Sequence, residues 1–310
     1  MKRVVITGIG AITPIGIGKE DYWNSLLIGK SGISNITRFD TEQFPSKIAG
    51  EVKGFNPENY MDKKESKRMD KFCQYAVAGS KLAIEDGEIN LENLNKERIG
   101  VVIGSGIGGM ETFELEHTKL YNKGPKRVSP LFIPMMISNM APGQISMMHG
   151  LKGPSLTITT ACASGTHAIG EAFRMVQNGI VDMVITGGSE AAITPISVAG
   201  FSSMKALSIR NDEPNKASRP FDRNRDGFVI GEGAGILILE ELTHALNRSA
   251  KIYGEIIGYG STSDAYHITA PDPKAEGAKR SMELALIDGN IDYSQIDYIN
   301  AHGTSTYYND

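Results

Sequence analysis

The chain has 310 residues, 40% hydrophobic and 22% charged, a globular composition long enough for one large domain or two ordinary ones. A formal net charge of -4 argues against a chain built for nucleic acid, so an anionic partner has to meet a local basic patch. Two cysteines make no disulfide framework and point to a reducing cytoplasm, and no run reaches the roughly 18 apolar residues of a membrane span.

The first expected element is a strand, "RVVITGIG" at 3–10. It resembles a signal peptide only in outline, because polar, Gly and Pro residues interrupt the apolar run and no small-residue cleavage site follows. A helix is expected over 68–86, with Cys73 in the apolar pattern "FCQYAVAG" as a small buried hydrophobe. "RIGVVIGSG" at 98–106 is the next strand, and "GSGIGG" at 104–109 then has the G-x-G-x-x-G spelling of a dinucleotide loop. Such a loop needs an acidic residue about 20 positions on, at the end of a second strand. That region is the loop "GPKRVSP", so a tight turn with close backbone approach is the preferred reading.

"SLTITTA" at 155–161 is a strand that runs into Cys162. A helix at 167–178 follows, with Ala168, Ile169, Ala172, Phe173 and Val176 on one face. Cys162 therefore stands at a strand-to-helix corner, where unpaired N–H groups and the helix dipole favour a thiolate, the nucleophilic form. Ala161, Ala163, Ser164 and Gly165 are small enough for a sharp turn. The arrangement is that of a nucleophile elbow with Cys in place of Ser, whose amides can also hold an oxyanion. A merely buried cysteine is the competing reading.

"MVITGG" at 183–188 and "AGILILE" at 234–240 complete the strands of the first half. Their near-continuous apolar character predicts strands covered on both faces and hence a mostly parallel sheet, and the alternation with helices gives an α/β class. Between them, "DRNRDGFVIGE" at 222–232 imitates a calcium loop, with Asp222, Asn224 and Asp226 in step and Gly227 at the turn. The bidentate Glu of position 12 is replaced by Gly233, so a rigid hydrogen-bonded turn is expected instead.

After "ELTHALNRSAK" a new strand begins at 252–262, followed by a helix at about 275–288 and a strand at 296–303. This repeats the opening of the first half and divides the chain at 1–250 and 251–310, the second unit reading as the incomplete start of a longer one. His302 lies in the loop "NAHGTST" at an expected strand end, where α/β sheets carry ligand sites. His167 reads as packed and His117 and His244 as solvated, while spacing leaves His149 and His267 undecided. No pair has metal-ligand spacing. Basic residues gather in "MDKKESKRMDK" at 61–71, in "PKR" at 125–127 and at Lys205, a candidate docking patch for an acidic partner.

Five stretches, in this order, resemble the β-ketoacyl-acyl-carrier-protein synthases, and within them the type II elongating enzymes. They are "VVITGIGAITPIG", "TTACASGTHAIGEA", "RPFDRNRDGFVIGEGAG", "SDAYHITAPDP" and "NAHGTST". The resemblance implies a thiolase-like α/β fold, two pseudo-repeated halves in αβαβα layers with the second incomplete, and a cytoplasmic homodimer. It implies 3-oxoacyl-[acyl-carrier-protein] synthase activity in fatty acid elongation, with acyl- and malonyl-loaded acyl carrier protein as partner. Beyond the phosphopantetheine arm that partner carries, it implies no cofactor and no metal, and neither nucleic acid nor membrane as partner.

By the same resemblance Cys162 is the nucleophile and His302 the first of two active-site histidines. Thr304 and Thr306 hold the arm, and Ile107 and Phe201 line or gate the acyl pocket. Lys64, Lys67, Arg68, Lys126, Arg127 and Lys205 form the carrier-protein patch. Tyr307 and Tyr308 depart from the family, which has Pro after "HGTST". The family's second histidine, lysine and Gly/Phe gating loop have no match in this chain. The alternatives are a catalytically incomplete homologue that binds carrier protein or a partner subunit, and an acyltransferase or hydrolase using Cys162 alone.

Overall fold

A computed structural model describes residues 1–310. Strand β1 (Val4–Thr13) passes through β2 (Gly16–Ile17) into helix α1 (Lys19–Leu27). A ribbon of β3 (Ser34–Asn35) and β4 (Ile48–Ala49) and the single turn α2 (Lys63–Ser66) precede the long helix α3 (Lys71–Asp86). Then come β5 (Ile99–Gly104), α4 (Met110–Lys123), α5 (Phe132–Met136), α6 (Met140–His149), β6 (Ser155–Ile158) and α7 (Ser164–Gln177). β7 (Met183–Glu190), α8 (Pro195–Ser203), β8 (Gly233–Glu241) and α9 (Leu242–Asn247) close the main body. β9 (Gly254–Ile256) and α10 (Glu276–Gly289) follow.

The main sheet runs β2-β1-β8-β7-β5-β6, with β9 on β1. Its faces alternate along each strand as a pleat requires. Val101, Ile103, Ile185, Ile236 and Ile238 pack on α3 through Phe72, Tyr75 and Ala76. Val102, Val184 and Leu239 turn the other way, onto Ala168, Ala172, Phe173 and Val176 of α7. Both faces are apolar, which is why these strands read as unbroken hydrophobic runs.

The expectation of a mostly parallel sheet is corrected. β5 is parallel to β6 and β7, but β1 is antiparallel to β2, β8 and β9, and β7 to β8. Apolar runs report burial on two faces; strand direction leaves no mark on them.

Beyond β9 the chain crosses the outer side of α7. A Cβ at Gly170 would fall 2.2 Å from the Tyr259 ring, so only glycine lets the segment lie so close. Arg174 of α7 pairs with Asp288 of α10 at 2.9 Å, and Asp288 accepts the Tyr259 N–H at 2.9 Å. The order through the molecule is thus α3, sheet, α7, segment 257–262, α10. This is the αβαβα succession, with a lone segment in the fourth position.

Two further expectations change. The strand expected over 252–262 forms a ladder only at Gly254–Ile256. The strand expected over 296–303 does not form; Ile296, Tyr298 and Ile299 are 42%, 79% and 66% exposed. Outside the Gly254–Ile256 pairing with β1, neither stretch has a neighbouring strand to share hydrogen bonds with, and an extended segment without a ladder gains too little to hold. The last fully buried apolar side chain of the molecule is Ala245.

Candidate functional site

β6 ends at Ile158, and the chain must turn sharply to enter α7. Thr160 adopts φ -140°, ψ 45°, and Ala161 the left-handed φ of 51°. Ser164 braces the corner: its hydroxyl accepts the Thr160 N–H at 2.8 Å and donates to the Ala161 carbonyl at 2.7 Å. The first turn of α7 sits directly on the end of β5, where a Cβ on Gly104 would lie 2.3 Å from the Ser164 backbone. Cys162 occupies the one-turn 3-10 helix Ala161–Ala163 at the crest and is exposed. Cys73 is 2% exposed, and burial pushes its thiol well above the ordinary range. The two cysteines thus have opposite environments, and the competing reading of a buried Cys162 is excluded.

The "GSGIGG" turn lies against this corner and is already filled. Gly106, Ile107 and Gly108 donate their N–H groups to the Glu190 carboxylate at 2.8, 3.0 and 3.3 Å, with the Ser105 hydroxyl at 3.4 Å. Successive amides of this kind make an anion-binding nest. Here the anion is the protein's own, so the turn is structural, as the preferred reading expected. Burial pushes the Glu190 carboxyl up, against the four donors that pull it down. A Cβ on Gly106 would meet Glu190 Oε2 at 3.1 Å and the Ala161 carbonyl at 3.5 Å, so Glu190 lies close to the nucleophile turn. In the sequence Glu190 is marked only as an acidic residue closing an otherwise apolar strand. Ile107 projects from this turn, 39% exposed.

His167 is more than packed. Its Nδ1 lies 2.7 Å from Thr160 Oγ1 and its Nε2 3.3 Å from Ser261 Oγ, with the ring edge-on to Tyr259.

His302 is exposed, on a loop anchored to the first half. Ser305 is fully buried; its carbonyl accepts the Gly227 N–H at 2.9 Å and its hydroxyl the Arg219 N–H at 3.1 Å. Arg225 donates to the carbonyls of Thr306 at 2.9 Å and Tyr307 at 3.0 Å. Asp310 accepts from the N–H groups of Thr304 and Ser305 at 2.9 and 2.8 Å. The hydroxyls of Thr304 and Thr306 meet at 2.9 Å. The calcium-like stretch is therefore the receptor of this loop. Its Asp226 accepts from Ser208 Oγ at 2.6 Å, the Ile209 N–H at 3.0 Å and Arg219 at 2.9 Å, the rigid turn expected.

Phe201 is half-buried, edge-on to Phe228 with centroids 5.2 Å apart. Lys64, Lys67, Arg68, Lys126, Arg127 and Lys205 are all exposed, and Arg68 pairs with Glu65 at 3.6 Å. Arg127 joins Lys119 and Lys123 of α4 around an open cleft of about 610 Å³. Lys119 and Lys123 escaped the sequence reading, although their spacing of four sets them on one helical face. His244, expected in solvent, is corrected: its Nδ1 lies 2.6 Å from the buried Glu240, which Arg248 also holds.

A cysteine elbow that enters the middle helix of a layered α/β body defines a thiolase-like enzyme fold. The chain belongs to the β-ketoacyl synthase family. Residues 1–245 match "Beta-ketoacyl synthase, N-terminal domain" and residues 253–310 match "Beta-ketoacyl synthase, C-terminal domain". It is 56% identical over 309 residues to the 3-oxoacyl-[acyl-carrier-protein] synthase 2 of Synechocystis sp., covering 100% of this chain and 74% of that protein. The ishigamide ketosynthase/chain length factor superposes with a TM-score of 0.93 at 35% identity, over 100% of this chain and 75% of that one. A ketosynthase solved with its type II acyl-carrier protein superposes with a TM-score of 0.90 at 33% identity, over 100% and 75%.

Proposed function

We propose that this chain performs the chemistry of a 3-oxoacyl-[acyl-carrier-protein] synthase in fatty acid biosynthesis. The observation that carries the reading is Cys162 itself: an exposed thiol at the crest of a braced left-handed turn, while the other cysteine is sealed in the core. The Cys162 thiolate attacks the carbonyl of an acyl thioester on acyl carrier protein, forming a new thioester and releasing the carrier's thiol. Malonyl-carrier protein then loses carbon dioxide. The resulting enolate carbon attacks the Cys162 thioester, the cysteine leaves as thiolate, and a 3-oxoacyl chain two carbons longer remains on the carrier. A thiolate suits both steps, being a soft nucleophile and a good leaving group.

His302 supplies an N–H to the enolate oxygen, where a fixed donor counts most. The Thr304 and Thr306 hydroxyls bond the phosphopantetheine arm, and Ile107 and Phe201 bound the acyl pocket. Lys64, Lys67, Arg68, Lys126, Arg127 and Lys205 receive the acidic carrier, with Lys119 and Lys123 beside them. Lys64 and Lys67 have no acidic partner within the chain, in contrast to Arg68. We read residues 1–250 and 251–310 as two units of one fold. The free edge of β6 pairs with a second copy in a homodimer. An exposed free thiol suits a reducing cytoplasm, and no helix is long and apolar enough to cross a membrane.

Intact-mass spectrometry after incubation with acyl-carrier protein tests the reading. One acyl group is expected on Cys162, and none on the Cys162→Ala variant. An adduct that persists in that variant overturns it.

A further inference from the structure

A non-glycine residue at positive φ is strained and persists only where its surroundings over-determine it. At Ala161 two braces are present. Ser164 holds the backbone on one side, and on the other His167 holds the Thr160 side chain at 2.7 Å. A neutral imidazole satisfies both contacts in either tautomer, because each partner is a hydroxyl that can donate or accept: one ring nitrogen donates and the other accepts. Ser261 belongs to the segment that Tyr259 seats on Gly170 and that Asp288 and Arg174 tie to α10. His167 thus joins the nucleophile turn to the segment that crosses α7.

We propose that His167 is a positioning residue for the nucleophile. Its bond to Thr160 fixes the left-handed turn that presents Cys162, and its second nitrogen sets that turn against residues 259–261. This rests on Cys162 being the nucleophile, as proposed above. Small displacements at such a point are costly, because a misplacement of about 1 Å can lower a rate about 100-fold.

The test is the rate of Cys162 alkylation by iodoacetamide at neutral pH, with Cys73 read separately by peptide mass spectrometry. His167→Ala and Thr160→Val, which remove the same bond from opposite ends, are each expected to slow Cys162 by about 10-fold or more. The double variant should be no slower than either single one, since both changes act through one contact. His167→Asn, whose amide reaches the place of Nδ1 but not of Nε2, should recover most of the rate. Full-rate labelling of Cys162 in both single variants, additive losses in the double variant, or no recovery with Asn overturns the proposal. A parent protein whose Cys162 labels no faster than Cys73 would instead remove the nucleophile reading, and this inference with it.

Discussion

Glu190 shows how much one side chain settles at the site. It fills the nest of the "GSGIGG" turn with a carboxylate, so the amides that would face a phosphate in a dinucleotide fold are spent inside the protein. Truncation takes the acceptor from the Gly106 and Ile107 N–H groups and leaves the buried Gly108 N–H only the Ser105 hydroxyl, at 3.2 Å. Glu190→Ala is expected to lower the unfolding free energy by about 1–3 kcal/mol. Equilibrium denaturation measures this, and an unchanged midpoint would count against the role assigned. Residue by residue, the elbow was legible because cysteine, small neighbours and a strand–helix junction coincide in a few positions. The Glu190 and His167 contacts were not, since their partners lie 84 and 7 residues away and no periodicity links them.

At the level of elements, helix periods were read well: 71–86, 164–177 and 276–289 form close to where the apolar spacing placed them. Strands were read well where both faces are covered. The stretch at 296–303 failed because apolar composition alone cannot supply the hydrogen-bonding neighbour a strand needs. The loop that follows is ordered from outside, by Arg225 and by the turn around Asp226. Arg225→Ala removes the two bonds to Thr306 and Tyr307 together with their positive charge. Faster amide exchange over 303–310, with the core of β5 and β7 unchanged, is the expected result in hydrogen-exchange mass spectrometry. Equal exchange in variant and parent would mean that Asp310 and Ser305 hold the loop without it.

For the whole molecule, the sheet ends in a strand with an open edge. β6 pairs only with β5, and Leu156 on it and Met147 on the adjoining α6 are 43% and 64% exposed. An open apolar edge is a template for pairing, and a second copy satisfies it most simply. The expected mass in solution is twice 33.5 kDa by light scattering, falling to a single chain in Leu156→Arg. A monomeric parent protein would refute the pairing.

The docking of "NAHGTST" onto residues 219–227 has one more implication. His302 takes its coordinates from a receptor surface in the first unit and not from the covalent thread that leads to it. The path through 246–253 serves as a tether that raises the local concentration of the loop. Its exposed residues, such as Ser249 and Lys251, are therefore free to vary, while the Arg248 hold on Glu240, the Tyr253 hold on Asp86 and the faces of lock and key are not.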